Sequence, residues 1–249
     1  MLIDFHTHLH SYKNISLMID SIKKHNILSV ACSIDIDSYK KTKEIDCPGL
    51  IVPTFGIHPM KSNTINDPGE LDQYLDESKI IGETGLDNYW IKNIDINIQE
   101  RVFKYIVDYC EKNGKYCVIH TKGMEEKIHK MISKYKNIKP IIHWYSGSMD
   151  IFKKLIDRKY YFTFGCEVYY SEYIRKLLSL TPLELILSET DNPESEIWLG
   201  GNTGSPVLIQ RIVKDIAKVK KRDAKEMEHI IQENCNKIFI ESDINILKA

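Results

Sequence analysis

The sequence predicts an α/β fold, a single (β/α)8 TIM-type barrel with an extra C-terminal helix, as one domain over residues 1–249. Three observations predict it. The chain has 249 residues, and a barrel of this type takes about 250. Short β-rich runs alternate with longer amphipathic stretches, the pattern of parallel strands joined by crossover helices. Polar residues of metal-ligating type stand at the carboxyl ends of five of these runs, the end at which barrel enzymes assemble their sites.

Taken in order, the strand-like runs are residues 2–8, 28–34, 50–56, 80–85, 116–120, 140–144, 160–165 and 185–190. Between and after them the clearest helix is 97–113, where Ile98, Val102, Tyr105, Ile106 and Tyr109 recur at helical spacing and Asn113-Gly114 supplies a stop. Residues 125–136 and 149–158 show similar patterns, and 206–220 and 224–239 follow the last run. Asp223 is a candidate cap for that final helix, with Glu226 three residues on. An open doubly wound sheet is the architectural alternative. No linker, repeat or low-complexity segment divides the chain.

Composition narrows the function classes. Hydrophobic residues make up 43% and charged residues 28%, ordinary values for a soluble globular chain. The formal net charge is −1, so a polyanion would have to be met locally, by a metal site and a few basic side chains. Cys32, Cys47, Cys110, Cys117, Cys166 and Cys235 form no CxxC pair and several sit in apolar runs. That reads as reduced, buried thiols and not as a disulfide framework. The first residues lack the basic start and apolar run of a signal peptide. No stretch of about 18 apolar residues offers a membrane span, so a cytoplasmic location is the default expectation, with no obligate protein partner inferred.

The chemistry-bearing residues are best weighed one at a time and then together. His6 and His8 lie in Ile3-Asp4-Phe5-His6-Thr7-His8. On a strand, i and i+2 share a face, so both rings can meet one ion; alone, the pair reads equally as hydrogen-bonded strand histidines. Glu83 follows Ile80-Ile81-Gly82, and a carboxylate there is costly to bury unless paired with a cation or bound to metal. His120 and His143 each end an apolar run, Cys117-Val118-Ile119 and Pro140-Ile141-Ile142. Asp191, in Glu189-Thr190-Asp191-Asn192-Pro193, closes the set; alone it reads as the start of an Asn-Pro turn. Four His, one Glu and one Asp exceed what a single catalytic zinc takes. They suit two divalent cations, Mg²⁺, Mn²⁺ or Zn²⁺, about 3.5–4 Å apart.

These residues sit in motifs that resemble the TatD-type metal-dependent deoxyribonucleases, within the wider amidohydrolase-like barrels. The motifs are Asp4-Phe5-His6-Thr7-His8-Leu9, Gly56-Ile57-His58-Pro59, Ile81-Gly82-Glu83-Thr84-Gly85-Leu86-Asp87, Ile119-His120-Thr121-Lys122, His143-Trp144-Tyr145-Ser146-Gly147 and Glu189-Thr190-Asp191-Asn192-Pro193. The resemblance implies that His6, His8 and Asp191 hold one metal and that His120 and His143 hold the other, with Glu83 shared. It implies His58 in the pocket, close to a phosphate. Lys122 stands where many relatives carry Arg, and it meets phosphate as a point charge instead of a bidentate fork. The segment Asn88-Tyr89-Trp90-Ile91 also departs from the usual form.

The expected activity is hydrolysis of DNA phosphodiester bonds, exonucleolytic on single-stranded ends, by water activated between two metals. Asp191 and Glu83 are the expected catalytic residues, with Asp191 accepting the proton of the attacking water. His58 and Lys122 would bind substrate, and Glu189 would orient a ligand histidine from behind. Trp90, Tyr145, Tyr169, Tyr170 and Trp198 are candidates for stacking bases. Two other readings stay open here: an esterase or amidase, including an aminoacyl-tRNA deacylase, on the same dinuclear site, and a non-catalytic interaction protein.

Overall fold

The computed structural model describes residues 1–193, 195, 197 and 200–246. In chain order the elements are β1 (Leu2–Thr7), α1 (Ile15–His25), β2 (Ile27–Cys32), α2 (Ile36–Lys43), β3 (Ile51–Thr54), α3 (Asp72–Glu77), β4 (Ile81–Gly85), α4 (Ile96–Asn113) and β5 (Tyr116–His120). There follow α5 (Glu125–Ile132), β6 (Lys139–Ile142), α6 (Met149–Asp157), β7 (Tyr161–Phe164), α7 (Glu167–Tyr170), α8 (Glu172–Leu180), β8 (Ile186–Ser188), α9 (Leu208–Lys220) and α10 (Ala224–Glu241). All eight expected runs are strands, arranged as a three-stranded and a five-stranded sheet with parallel pairing. Among the described residues, no helix is long and apolar enough to cross a membrane. The chain divides into two compact units: Met1–Ala31 with Thr42–Val52 and Phe162–Ala249, and Cys32–Lys41 with Pro53–Tyr161.

In the first unit β1 pairs with β2, Leu2 opposite Ile27, and β7 pairs with β8, Phe162 opposite Ile186. The first and last strands, β1 and β8, meet. Ser188 Oγ donates to the Ile3 carbonyl (2.6 Å), and Thr190 donates to Asp4 through both its N–H (2.8 Å) and its hydroxyl (2.7 Å). The last two helices bury one face each: Ile209, Ile212, Val213 and Ile216 on α9, and Met227, Ile231, Cys235 and Ile238 on α10, positions three or four apart as an amphipathic helix requires. Asp223 caps α10 by accepting the Lys225 N–H (2.8 Å), while Glu226 ion-pairs with Arg222 (3.1 Å). The α10 side chain of Asn234 donates to the carbonyls of Leu183 (2.8 Å) and Ile186 (2.9 Å), tying the C-terminal helix to the start of β8.

The second unit carries β4, β5 and β6 side by side, Ile81 opposite Cys117 and Cys117 opposite Pro140. On its other side β4 donates Gly82 N–H to the Phe55 carbonyl (2.7 Å) and accepts the Thr54 hydroxyl at the Gly82 carbonyl (2.6 Å). Helix α4 buries Val102, Phe103, Ile106, Val107 and Cys110 and stops at Gly114, whose φ of 61° takes the left-handed cap. All six cysteines are buried and form no disulfide.

One close approach in this unit sets the strand ends. Gly85 lies opposite His120, and a Cβ there would come within 2.0 Å of the His120 carbonyl oxygen. Gly85→Ala must therefore push β4 and β5 apart at the point where Glu83 and His120 emerge. We expect a loss of about 3 kcal/mol or more, read as a lower urea midpoint with an unchanged slope.

Candidate metal centre

Two clusters of ligand-type side chains stand at strand ends, one in each unit. In the first unit β1 delivers His6, fully buried, and the turn after it delivers His8. Their Nε2 atoms are 3.3 Å apart, with the rings edge to face at 4.9 Å. Asp191 Oδ1 lies 3.2 Å from His8 Nε2 and 3.6 Å from His6 Nε2. The backbone holds this triangle: Asp191 N–H donates to the His6 carbonyl (2.8 Å) and His8 N–H to the Asn192 carbonyl (2.8 Å). Asp191 adopts a positive φ of 51°, a conformation that Asp and Asn tolerate better than bulkier residues do. Glu189 is fully buried, its N–H on the Phe164 carbonyl. Burial drives the neighbouring Asp4 carboxyl up to about 7 against the two hydrogen bonds from Thr190, and the Glu189 charge adds to the rise.

The second unit presents Glu83, 1% exposed, ringed by imidazoles. Its Oε1 lies 2.9 Å from His120 Nδ1 and 3.7 Å from both His143 Nε2 and His58 Nε2. The structure thus brings His58 as near to Glu83 as His143, although their sequence motifs do not treat the two alike. His58 also supports the turn that follows it. Its Nδ1 accepts the Met60 N–H (3.2 Å), capping a 3-10 turn over Pro59–Thr64. In a neutral ring with Nδ1 accepting, Nε2 carries the hydrogen, so His58 offers a donor to an anion and not a lone pair to a cation.

His120 is held at both ends. Beyond Glu83, its Nε2 faces Asp87 Oδ2 at 2.9 Å. Burial alone would lower its pKa, but the hydrogen bonds and charges of Asp87 and Glu83 outweigh burial and raise it. Asp87 in turn is lowered in spite of burial, by His120 and by backbone N–H groups. Asp87 closes the motif Ile81-Gly82-Glu83-Thr84-Gly85-Leu86-Asp87, yet the motif by itself assigns it no role. The signal that could have found it is an Asp heading an Asn-Tyr-Trp turn, where a carboxylate caps the N–H groups that follow.

Lys122 Nζ donates to the Trp144 carbonyl (2.9 Å) and Ser146 Oγ (3.0 Å) and sits 5.3 Å over the Trp144 ring. Of the candidate stacking residues, Tyr145 is corrected to a core position. It is 3% exposed, donates to the Ser148 carbonyl (2.7 Å) and packs on Phe152. Trp90, Tyr169 and Tyr170 are exposed; Trp198 lies outside the described residues.

The donors fit divalent cations. His6 Nε2, His8 Nε2 and an Asp191 oxygen converge in the first unit. In the second, Glu83 Oε1 and His120 Nδ1 lie 2.9 Å apart, with His143 Nε2 beside Glu83. Buried carboxylates among imidazoles, with a second carboxylate behind a ring N–H, are the usual surroundings of metal-bound histidine.

The model of the TatD related DNase family matches residues 3–240, and the chain belongs to that family. It is similar to an uncharacterized metal-dependent hydrolase of Mycoplasma genitalium, 26% identical with 95% of this chain and 98% of that protein covered. An uncharacterized metal-dependent hydrolase of Methanocaldococcus jannaschii is 27% identical, with 95% and 96% covered. Among solved structures, a TatD homolog from Escherichia coli superposes with a TM-score of 0.84 at 16% identity, over 96% of this chain and 98% of that one. An uncharacterized Tim-barrel protein from Bordetella bronchiseptica gives 0.65 at 13% identity, over 97% and 99%. The fold is therefore the α/β barrel class expected from the sequence.

Proposed function

We propose that the chain is a metal-dependent hydrolase that cleaves phosphodiester bonds of DNA, acting on single strands and exposed ends. The observation that carries this reading is the buried Glu83 carboxylate, faced by nitrogens of His58, His120 and His143 in a member of the TatD related DNase family. The family match runs through both compact units, which supports reading residues 1–249 as one hydrolase domain.

Divalent cations, when bound, lower the pKa of water and neutralise charge developing on phosphate oxygens; Mg²⁺, Mn²⁺ and Zn²⁺ all suit mixed nitrogen and oxygen donors. His6, His8 and Asp191 would hold one ion, and Glu83, His120 and His143 the other. Asp191, whose carboxylate is 19% exposed, would accept the proton of the attacking water. His58 would donate its Nε2–H to a non-bridging phosphate oxygen. Lys122, fixed by Trp144 and Ser146, would supply a positioned positive charge. Glu189, buried on the same chain segment as Asp191, would orient a ligand histidine.

The test is incubation of the purified protein with end-labelled single-stranded DNA and Mg²⁺, Mn²⁺ or Zn²⁺ in turn. Stepwise shortening is expected, abolished by a chelator and restored by adding the ion back. Cleavage that survives exhaustive chelation and dialysis would refute metal dependence. If metal-loaded protein leaves DNA intact but hydrolyses esters or amides, including aminoacyl esters, the phosphodiester reading falls.

A further inference from the structure

We propose that Tyr89 and Trp90 form a stacking platform for an unpaired base of a nucleic-acid single strand, beside the Glu83–His120 cluster. The inference rests on the phosphodiesterase reading and gives it a substrate form.

Tyr89 is 62% exposed and Trp90 52% exposed. Their rings meet edge to face, centroids 4.7 Å apart at 90°. Folding draws large aromatic side chains inward, so two adjacent rings left this open are the observation that needs a reason. The segment that carries them is held firmly. Asp87 Oδ1 accepts three successive N–H groups, from Tyr89 (2.7 Å), Trp90 (2.7 Å) and Ile91 (3.3 Å). Asn88 N–H donates to the Lys122 carbonyl (3.0 Å), and the Lys92 ammonium binds the Asn88 carbonyl and side chain. Gly123 leaves space for this segment: a Cβ there would already touch Tyr89 at 3.4 Å. Aromatic side chains on a fixed backbone lose little further entropy when a ligand stacks on them.

The platform's place is set by the same carboxylate. Asp87 Oδ1 anchors the aromatic turn while Asp87 Oδ2 meets His120 Nε2 at 2.9 Å, so the rings are registered against the proposed metal ligand through a single side chain. Lys122, whose carbonyl holds Asn88, also carries the positioned ammonium. A strand entering here would find a cation for phosphate and a flat face for a base within one pair of hydrogen-bonded loops. A second exposed aromatic pair, Tyr169 and Tyr170, is differently used: the Arg211 guanidinium lies 4.0 Å from the Tyr169 ring centre.

Charge selects the occupant's chemistry. With a formal net charge of −1, the protein has little long-range pull on a polyanion, so phosphate contacts alone give weak binding. Base stacking is insensitive to charge and tolerant of sequence, but it needs a base with a free face. A duplex interior offers none; a single strand or a frayed end does.

The test compares an oligothymidylate with an oligomer of equal length built on abasic tetrahydrofuran units, which keeps the backbone and removes the bases. With metal-loaded protein, wild type is expected to favour oligothymidylate about tenfold in KM. In Tyr89→Ala/Trp90→Ala that preference disappears, while Trp90→Phe keeps most of it. An unchanged preference in the double alanine variant would overturn the platform, as would equal KM values for the two oligomers with wild type. If wild type cuts neither oligomer with any ion, the phosphodiesterase reading has failed, and tryptophan fluorescence then judges the platform. Quenching by oligothymidylate but not by the abasic oligomer, lost in Trp90→Phe, sustains it; no quenching by either removes it.

Discussion

Asp191→Asn lowers turnover on single-stranded DNA by about a thousandfold, within the usual range for loss of a general base, and leaves the fold intact. The two halves of this expectation have separate physical grounds. The fold survives because the contact that seats Asp191 is made by its backbone, N–H to the His6 carbonyl at 2.8 Å, and because Asn accepts the same positive φ of 51°. The activity falls because the amide cannot take a proton and brings no negative charge to the two Nε2 atoms that Asp191 Oδ1 now faces at 3.2 and 3.6 Å. Steady-state turnover at saturating metal, beside a thermal melt by circular dichroism, checks both. Turnover within tenfold of wild type would show that the water's proton goes elsewhere. A melt lowered by many degrees would show that Asp191 is structural first.

Much of this was open to reading in the sequence, and what was hidden was hidden for identifiable reasons. The strands are legible as short β-rich runs, and ligand-type residues announce themselves by following apolar pairs: Glu83 after Ile80 and Ile81, His120 after Val118 and Ile119, His143 after Ile141 and Ile142. Period and polarity carry that information locally. Helices that bury few of their side chains are fainter. Helix α1 begins at a cap visible in the sequence, Asn14 accepting the Leu17 N–H at 3.2 Å, yet only Ile22 on it is buried, so its pattern is faint. Helix α8, capped by Ser171, follows the short α7 with a single residue between them, so no loop marks its start. Roles that depend on how one ring is shared lie beyond periodicity altogether. Nothing in Gly56-Ile57-His58-Pro59 says that His58 spends Nδ1 on Met60 and turns Nε2 to Glu83. The dual contact of Asp87 likewise joins residues 33 positions apart in sequence.

That dual contact makes Asp87 the most informative position outside the ligands. In Asp87→Ala, His120 loses the acceptor at its Nε2, and affinity for Mn²⁺ or Zn²⁺ is expected to fall about 10–100-fold, the usual cost of losing such a partner. Asp87→Asn separates two consequences. Its single side-chain oxygen can still accept the N–H groups of Tyr89 and Trp90, now 2.7 Å from Oδ1, so the aromatic turn persists. Its NH₂ group then faces His120 Nε2, which becomes the accepting nitrogen, and the ring hydrogen moves to Nδ1, the atom 2.9 Å from Glu83. A protonated Nδ1 has no lone pair for a cation. The asparagine variant should therefore bind metal as poorly as the alanine variant, although it differs from wild type by one atom and keeps the turn. Calorimetric titration of metal into metal-free protein measures the affinity, and near-ultraviolet circular dichroism from Trp90 reports the turn. Metal affinity in Asp87→Asn within threefold of wild type would mean that His120 chooses its tautomer without Asp87, and that the carboxylate serves the loop alone.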